Sequence, residues 1–253
     1  MAKAKTSRAK TPHTFVLVHG MWHGGWCWKE VADILRRRGH TVTTPTHTGL
    51  GERAHLLSKN ITLDTFIDDI VNHIHWSELE NVTLVGHSFG GAVIIGVADR
   101  VPSRLRRLIF LDGAIMTDGE TWFGKLPGEI VDERVAAADE SSGGLSLPVG
   151  DPESFGVTER EQVAHVKKLL TPHPLATCTS PLSLGGPIGN GVAIDYIACT
   201  DPAYPPAAGS HAAAKRFGWR MHELATGHDA MVSAPKATAD LLDKVAGTRA
   251  AVR

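Results

Sequence analysis

The sequence predicts an α/β fold: a doubly wound, mainly parallel sheet with an inserted lid. Short β-branched strands alternate with amphipathic helices along most of the 253 residues, which is the order of a parallel sheet with helices on both faces. One interval, residues 113–191, breaks this alternation and is rich in Gly, Pro and Ser. A Gly-x-Ser-x-Gly turn at residues 86–90 lies between a predicted strand and a predicted helix.

The first half of the chain supplies strands and helices in alternation. Apolar, β-branched runs predict strands at residues 14–18, 40–44 and 82–85. Apolar residues at helical spacing predict a helix over residues 28–38 that stops at Gly39, and a second helix capped by Thr62. The helix after the Gly-x-Ser-x-Gly turn ends near Pro102.

The second half continues the pattern around the irregular interval. Strands are predicted at residues 107–112, 192–199 and 219–224, followed by a closing helix over residues 234–245. We therefore predict a disordered basic tail (residues 1–13), a core (residues 14–112 and 192–253) and a lid (residues 113–191) with a helical piece at 159–170.

The charge and the cysteine content exclude several classes of protein. A formal net charge of -1 gives no field that would attract nucleic acid or an anionic membrane. Three cysteines are too few for a disulfide framework and fit a reducing compartment. The basic tail lacks the apolar stretch of a signal peptide, and the apolar run at residues 92–98 is too short to span a membrane. We expect a cytoplasmic protein, and a homodimer is compatible with the sequence.

Ser88 is the candidate nucleophile. The flanking Gly86 and Gly90 allow the tight turn of a nucleophile elbow, whereas the simpler interpretation makes Ser88 a helix cap. A serine hydroxyl needs a base, and His228 is the best placed of fourteen histidines because it follows the last strand. His19 and His23 share a helical spacing but have no matching acidic ligand, so we expect no metal there.

Two aspartates compete for the third position of a triad. The base needs a carboxylate to hold its tautomer. Asp201 follows the strand at 192–199 and gives the chain order nucleophile, acid, base. Asp112, at the end of the strand at 107–112, lies on the same sheet edge. Either residue could instead cap a turn. We favour Asp201.

The remaining candidates stabilise charge or bind substrate. A developing oxyanion needs two preorganised N–H groups, which we assign to Met21 in the glycine-rich loop after the first strand and to Phe89 after the nucleophile. The aromatic residues that could line an apolar site, each of them also explicable as plain packing, are Trp22, Trp26, Trp122, Phe123 and Phe155.

Several of these motifs together resemble the α/β-hydrolase superfamily, in the branch of plant methylesterases, polyneuridine aldehyde esterase, hydroxynitrile lyases and small bacterial esterases. The resemblance rests on residues 15–28, 48–53, 86–91 and 196–201. It implies a serine hydrolase with Ser88, Asp201 and His228 as triad and Met21 and Phe89 as oxyanion donors. The interval from Asp201 to His228 is about one residue shorter than the resemblance implies for the plant members.

Two positions separate hydrolase from lyase within that branch. The lyases that the chain resembles carry a lysine directly after the catalytic histidine and a threonine after the first-loop histidine. Here Asp229 and Gly20 stand at these positions, and a carboxylate would disfavour cyanide. We therefore predict hydrolysis of a small carboxylic ester through an acyl-enzyme, with no cofactor. Amide or carbamate cleavage by the same triad, and a non-catalytic receptor, remain alternatives.

Overall fold

The computed structural model describes residues 11–248. The predicted tail, residues 1–13, falls mostly on residues 1–10, which lie outside the described residues. Within them, a six-stranded sheet has the order β2-β1-β3-β4-β7-β8, and every adjacent pair is parallel. The sheet strands are β1 (Thr14–Val18), β2 (Thr41–Thr43), β3 (Val82–His87), β4 (Leu105–Leu111), β7 (Ala193–Cys199) and β8 (Arg220–Leu224). The predicted α/β fold with a parallel sheet is confirmed.

Helices cover both faces of this sheet. They are α1 (Lys29–Arg37), α2 (Leu63–Trp76), α3 (Gly90–Arg100), α4 (Gly128–Ser142), α5 (Arg160–Leu169), α6 (Ala176–Thr179), α7 (Ala208–Arg216), α8 (Ala230–Ser233) and α9 (Pro235–Ala246). Among the described residues, no helix combines the length and the apolar composition needed to cross a bilayer.

The two-residue period of the strands divides the core in two. In β1, Val16 and Val18 pack on the side of α2 and α3, whereas Phe15 and Leu17 pack on the side of α1 and α9. Such double-sided burial explains why these strands read as continuous apolar runs. Because all six strands are parallel, their carboxyl ends meet at one edge.

The segment between β4 and β7 contains more regular structure than the sequence indicated. The predicted helical piece is α5, and a two-stranded antiparallel ribbon pairs β5 (Ser146–Leu147) with β6 (His173–Pro174). The sequence did not predict helix α4, because only Ala138 in it is buried and the helix therefore lacks a strong apolar stripe. We retain residues 113–191 as a proposed lid.

Candidate active site

The turn from β3 into α3 holds Ser88 in a strained conformation. Its φ is 52°, in the left-handed region that non-glycine residues rarely occupy. A Cβ on Gly86 would lie 2.6 Å from the Gly90 carbonyl oxygen, and a Cβ on Gly90 would lie 2.8 Å from the His19 carbonyl oxygen. Only glycine therefore fits at positions 86 and 90, two residues before and two residues after Ser88, as the elbow prediction requires.

The imidazole of His228 joins the serine to a carboxylate. His228 Nε2 lies 2.9 Å from Ser88 Oγ, and His228 Nδ1 lies 2.6 Å from Asp112 Oδ2. An ionised carboxylate only accepts hydrogen bonds, so Nδ1 carries the proton and Nε2 is free to accept the serine hydroxyl. Tyr204 stacks on the His228 ring at 4.1 Å between centroids.

Asp112 is fixed by three donors. Its Oδ1 accepts hydrogen bonds from the Cys199 N–H at 3.1 Å and from His211 Nε2 at 2.6 Å, while Oδ2 faces His228. Burial opposes ionisation of Asp112, but the hydrogen bonds from His211 and His228 outweigh it and hold the pKa of this carboxyl well below its usual range. The side chain is therefore a buried, oriented carboxylate at neutral pH.

The preference for Asp201 is wrong. The chain turns directly after β7, where Thr200 bridges Ala203, and the Asp201 N–H donates to the Thr226 carbonyl. This geometry leaves Asp201 exposed. Asp112 instead occupies the position facing His228 Nδ1, because β4 lies beside the elbow strand β3 in the sheet.

The predicted oxyanion donors flank the serine from two loops. Met21 lines the cavity at Ser88, and Phe89 begins the turn into α3. The turn and loop hydrogen bonds of the described residues include none donated by the N–H of Met21 or of Phe89. Both donors are thus available for a ligand oxygen, and their assignment as the oxyanion hole remains a proposal.

The cavity at Ser88 has aromatic walls. Trp22, Trp122 and Phe155 line it, as expected, together with Tyr204, which the sequence reasoning had not selected. Trp22 stacks on Phe155 at 5.5 Å between ring centroids.

Two of the aromatic candidates lie elsewhere. Phe123 is 6% exposed and packs in the core against the side of the sheet that carries α2 and α3. Trp26 packs with a small cluster around α5 and stacks on His23. Neither residue lines the cavity at Ser88 within the part of the chain that the structure describes.

A second imidazole–carboxylate pair lies beside the first. His23 Nε2 is 3.1 Å from Asp229 Oδ2, and His23 Nδ1 is 2.7 Å from the Met21 carbonyl oxygen. Both partners are acceptors, so His23 satisfies both only when it carries two ring protons. Burial lowers the pKa of His23, but the Asp229 carboxylate outweighs burial and raises it. Sequence reasoning missed this ion pair, because 206 positions separate the two residues.

Other histidines near the site are buried and neutral. Burial lowers the pKa values of His19, His87 and His173 to about 3. His87 donates from Nε2 to the His228 carbonyl oxygen at 3.0 Å, which supports the loop that carries His228. Among the described residues, no group of His, Cys, Asp or Glu is arranged to hold a metal ion.

His211 is a further site residue that the sequence analysis did not select. It lies on α7, a helix between β7 and β8 that the strand pattern did not indicate. The one sequence feature that could have indicated His211 is its position after the fifth strand of the sheet. The segments that follow these parallel strands begin at the same edge as Ser88.

The chain resembles known proteins over almost its whole length. Residues 15–241 match the family described as "Alpha/beta hydrolase family". A carbendazim hydrolyzing esterase from Nocardioides sp. (strain SG-4G) is 38% identical over 239 residues, covering 90% of this chain and 97% of that protein. The putative methylesterase 11 of Arabidopsis thaliana is 32% identical over 118 residues, covering 46% of this chain and 30% of that protein.

Solved structures agree with these sequence matches. An extracellular α/β-hydrolase from a Paenibacillus species superimposes with a TM-score of 0.81 at 29% identity, over 92% of this chain and 98% of that chain. That protein is described as sharing structural and functional homology with tobacco salicylic acid binding protein 2.

Proposed function

The chain belongs to the alpha/beta hydrolase family and is a carboxylic ester hydrolase, and we propose that it cleaves small esters by serine catalysis through an acyl-enzyme. One observation carries this proposal: His228 stands between Ser88 Oγ at 2.9 Å and the Asp112 carboxylate at 2.6 Å. The base is thus within direct hydrogen-bond reach of both the nucleophile and the orienting acid.

Acylation begins at Ser88. As Oγ attacks the ester carbonyl carbon, His228 Nε2 takes the hydroxyl proton, and Asp112 stabilises the imidazolium that forms. The carbonyl oxygen becomes an oxyanion, which the N–H groups of Met21 and Phe89 stabilise. Collapse of this tetrahedral species breaks the bond to the alcohol oxygen, and His228 returns the proton to the leaving alcohol.

Deacylation repeats these steps with water. His228 Nε2 removes a proton from a water molecule, whose oxygen attacks the acyl carbon, and the second tetrahedral species expels Ser88 Oγ. The imidazolium then protonates the serine, and the carboxylic acid leaves. His211 acts one step away: its hydrogen bond to Asp112 Oδ1 holds the carboxylate oriented toward His228.

Two features favour hydrolysis over the alternatives. Asp229, directly after His228, is a buried carboxylate, so the position at which the lyases carry a lysine cation for cyanide holds a negative charge instead. A receptor that only binds ligand has no need for the aligned triad, whose strained Ser88 is held by the tight elbow.

The test is a burst experiment with 4-nitrophenyl acetate. The enzyme should release one equivalent of 4-nitrophenol rapidly and retain an acetyl group on the peptide containing Ser88. S88A should abolish both signals and lower turnover by about 10⁴-fold or more, whereas S103A, at an exposed serine outside the site, should behave as wild type. Turnover retained by folded S88A would exclude the mechanism. Matched amides and carbamates in the same assay define the scope of the activity.

A further inference from the structure

Arg134 on α4 is exceptional among the arginines. It is half-buried, yet within residues 11–248 its guanidinium forms no hydrogen bond and no ion pair with a protein group. Every other buried or half-buried arginine in that range bonds to a carboxylate or a carbonyl oxygen: Arg38, Arg53, Arg104, Arg106 and Arg107. A guanidinium has five donors and stays charged, so the donors of Arg134 are available to solvent or to a bound anion.

The sequence of α4 explains why the helix itself supplies no partner. The helix carries five acidic residues, at positions 129, 132, 133, 139 and 140. None of them lies three or four residues from Arg134, the spacing at which helical side chains pair. Those four neighbouring positions hold Ile130, Val131, Ala137 and Ala138.

Arg134 stands where two cavities meet. It lines the cavity that contains Ser88, and it also lines an adjoining cavity of about 250 Å³. Trp22, Phe155 and Tyr204 are shared by the two cavities. A substrate bound at Ser88 and extended along these aromatic rings therefore passes the guanidinium.

The carboxylates of the site are already taken. Asp112 is bonded to His228 and His211, and Asp229 is bonded to His23. No side-chain carboxylate of the site is therefore left to pair with Arg134, and a carboxylate on a bound molecule matches the forked guanidinium in two parallel hydrogen bonds.

We propose, as an extension of the proposed function, that Arg134 binds a carboxylate of the substrate, so that the preferred esters carry a free carboxylate besides the scissile bond. Aromatic walls hold the body of the molecule, and the lid cation selects its anionic end. Arg134 is a specificity-determining residue in this account and takes no part in the bond-breaking steps.

The test compares charged and neutral esters of matched length. One arm uses 4-nitrophenyl monoesters of succinic, adipic and suberic acid against 4-nitrophenyl butyrate, hexanoate and octanoate. The other arm places the charge on the leaving group, with 4-acetoxybenzoate against its neutral analogue 4-acetoxybenzamide. In at least one arm and chain length, kcat/KM for the carboxylate ester should exceed that for its neutral partner by about tenfold or more.

R134Q should remove this preference, chiefly by raising KM for the carboxylate ester, so that the ratio of its kcat/KM to that of the neutral partner falls to about one. R134K should retain part of the preference, because lysine keeps the charge but loses the fork. R160Q, at an exposed lid arginine, serves as the matched control, and thermal melting checks that each variant is folded.

Two results overturn the proposal. One is the absence of any preference for carboxylate esters in both arms while the neutral esters are cleaved. The other is a preference that survives in R134Q. Failure to cleave any of the esters is a separate outcome, which would refute the proposed function itself.

Discussion

Two loops at the same edge of the sheet each present an aspartate, and only one of them meets the histidine. The loop after β4 holds Asp112 at 2% exposure, with both carboxylate oxygens bonded. The loop after β7 turns back on itself, so that Asp201 faces solvent. Both loops follow parallel strands, so position after a strand does not by itself identify a catalytic carboxylate.

The difference comes from which strand neighbours the elbow. Strand β4 pairs with β3, which carries Ser88, and with β7 on its other side. Asp112 therefore lies between the serine strand and the Cys199 N–H that helps to hold it. Asp201 lies one strand further from the serine, and a short turn directs it outward. Both aspartates fall between Ser88 and His228 in the chain, so lateral position in the sheet, and not chain order, decides which one faces His228.

The largest effect expected from this comparison is on turnover in D112N. The amide cannot stabilise the imidazolium, and it allows His228 to adopt the tautomer with the proton on Nε2. We expect kcat to fall by about 10⁴-fold with a native circular dichroism spectrum. Activity within tenfold of wild type in a folded protein would remove Asp112 from the triad.

Acid should destabilise the protein through a buried histidine beside Asp112. His87 lies beside the Asp112 site and is buried with a pKa of about 3, against an ordinary value of 6.5. Because the folded-state pKa is lowered, the unfolded chain binds more protons between these values, and stability is lost as pH falls below 6.5. From pH 6.5 to pH 5 this histidine should account for about 2 kcal/mol.

Urea denaturation at several pH values measures that loss. H87Q should reduce the dependence of the unfolding free energy on pH by close to one proton in this window, whatever its effect on absolute stability. An unchanged slope would show that His87 is not held neutral beside the site.

The smallest effect is expected in D201N. The side chain is exposed and does not face His228, so kcat/KM should stay within about twofold of wild type and the melting temperature should hardly move. A loss approaching that of D112N would restore Asp201 as the functional acid and imply a different arrangement of the loop after β7.

Much of the core was predictable because its physics is local. A few consecutive residues are enough to predict each of these features: the buried strands β1, β3 and β4, the helix after Thr62 and the glycine turn around Ser88. Ser88 and His228 could be selected from the sequence because each lies just after a predicted strand. Both the fold and the pairing of Ser88 with His228, whose side chains lie within hydrogen-bond distance, could therefore be predicted.

The remainder depends on contacts between distant parts of the chain. The His211–Asp112 bond spans 99 positions and the His23–Asp229 pair spans 206, with no pattern to link them. Asp112 and Asp201 both fall between Ser88 and His228, so chain order could not choose between them, and the shortened interval before His228 was the sequence signal against Asp201. A binding role for Arg134 can be inferred only from the structure, in which this residue of α4 lines the cavity at Ser88.

The most direct test of the central claim is the low-field proton NMR spectrum of the free enzyme. A proton shared between His228 Nδ1 and a carboxylate resonates far downfield, because the hydrogen bond is short and charge-assisted, and its absence in H228Q assigns it. We predict that this resonance disappears in D112N and persists unchanged in D201N. Its persistence in D112N together with its loss in D201N would contradict the assignment of Asp112 as the partner of His228.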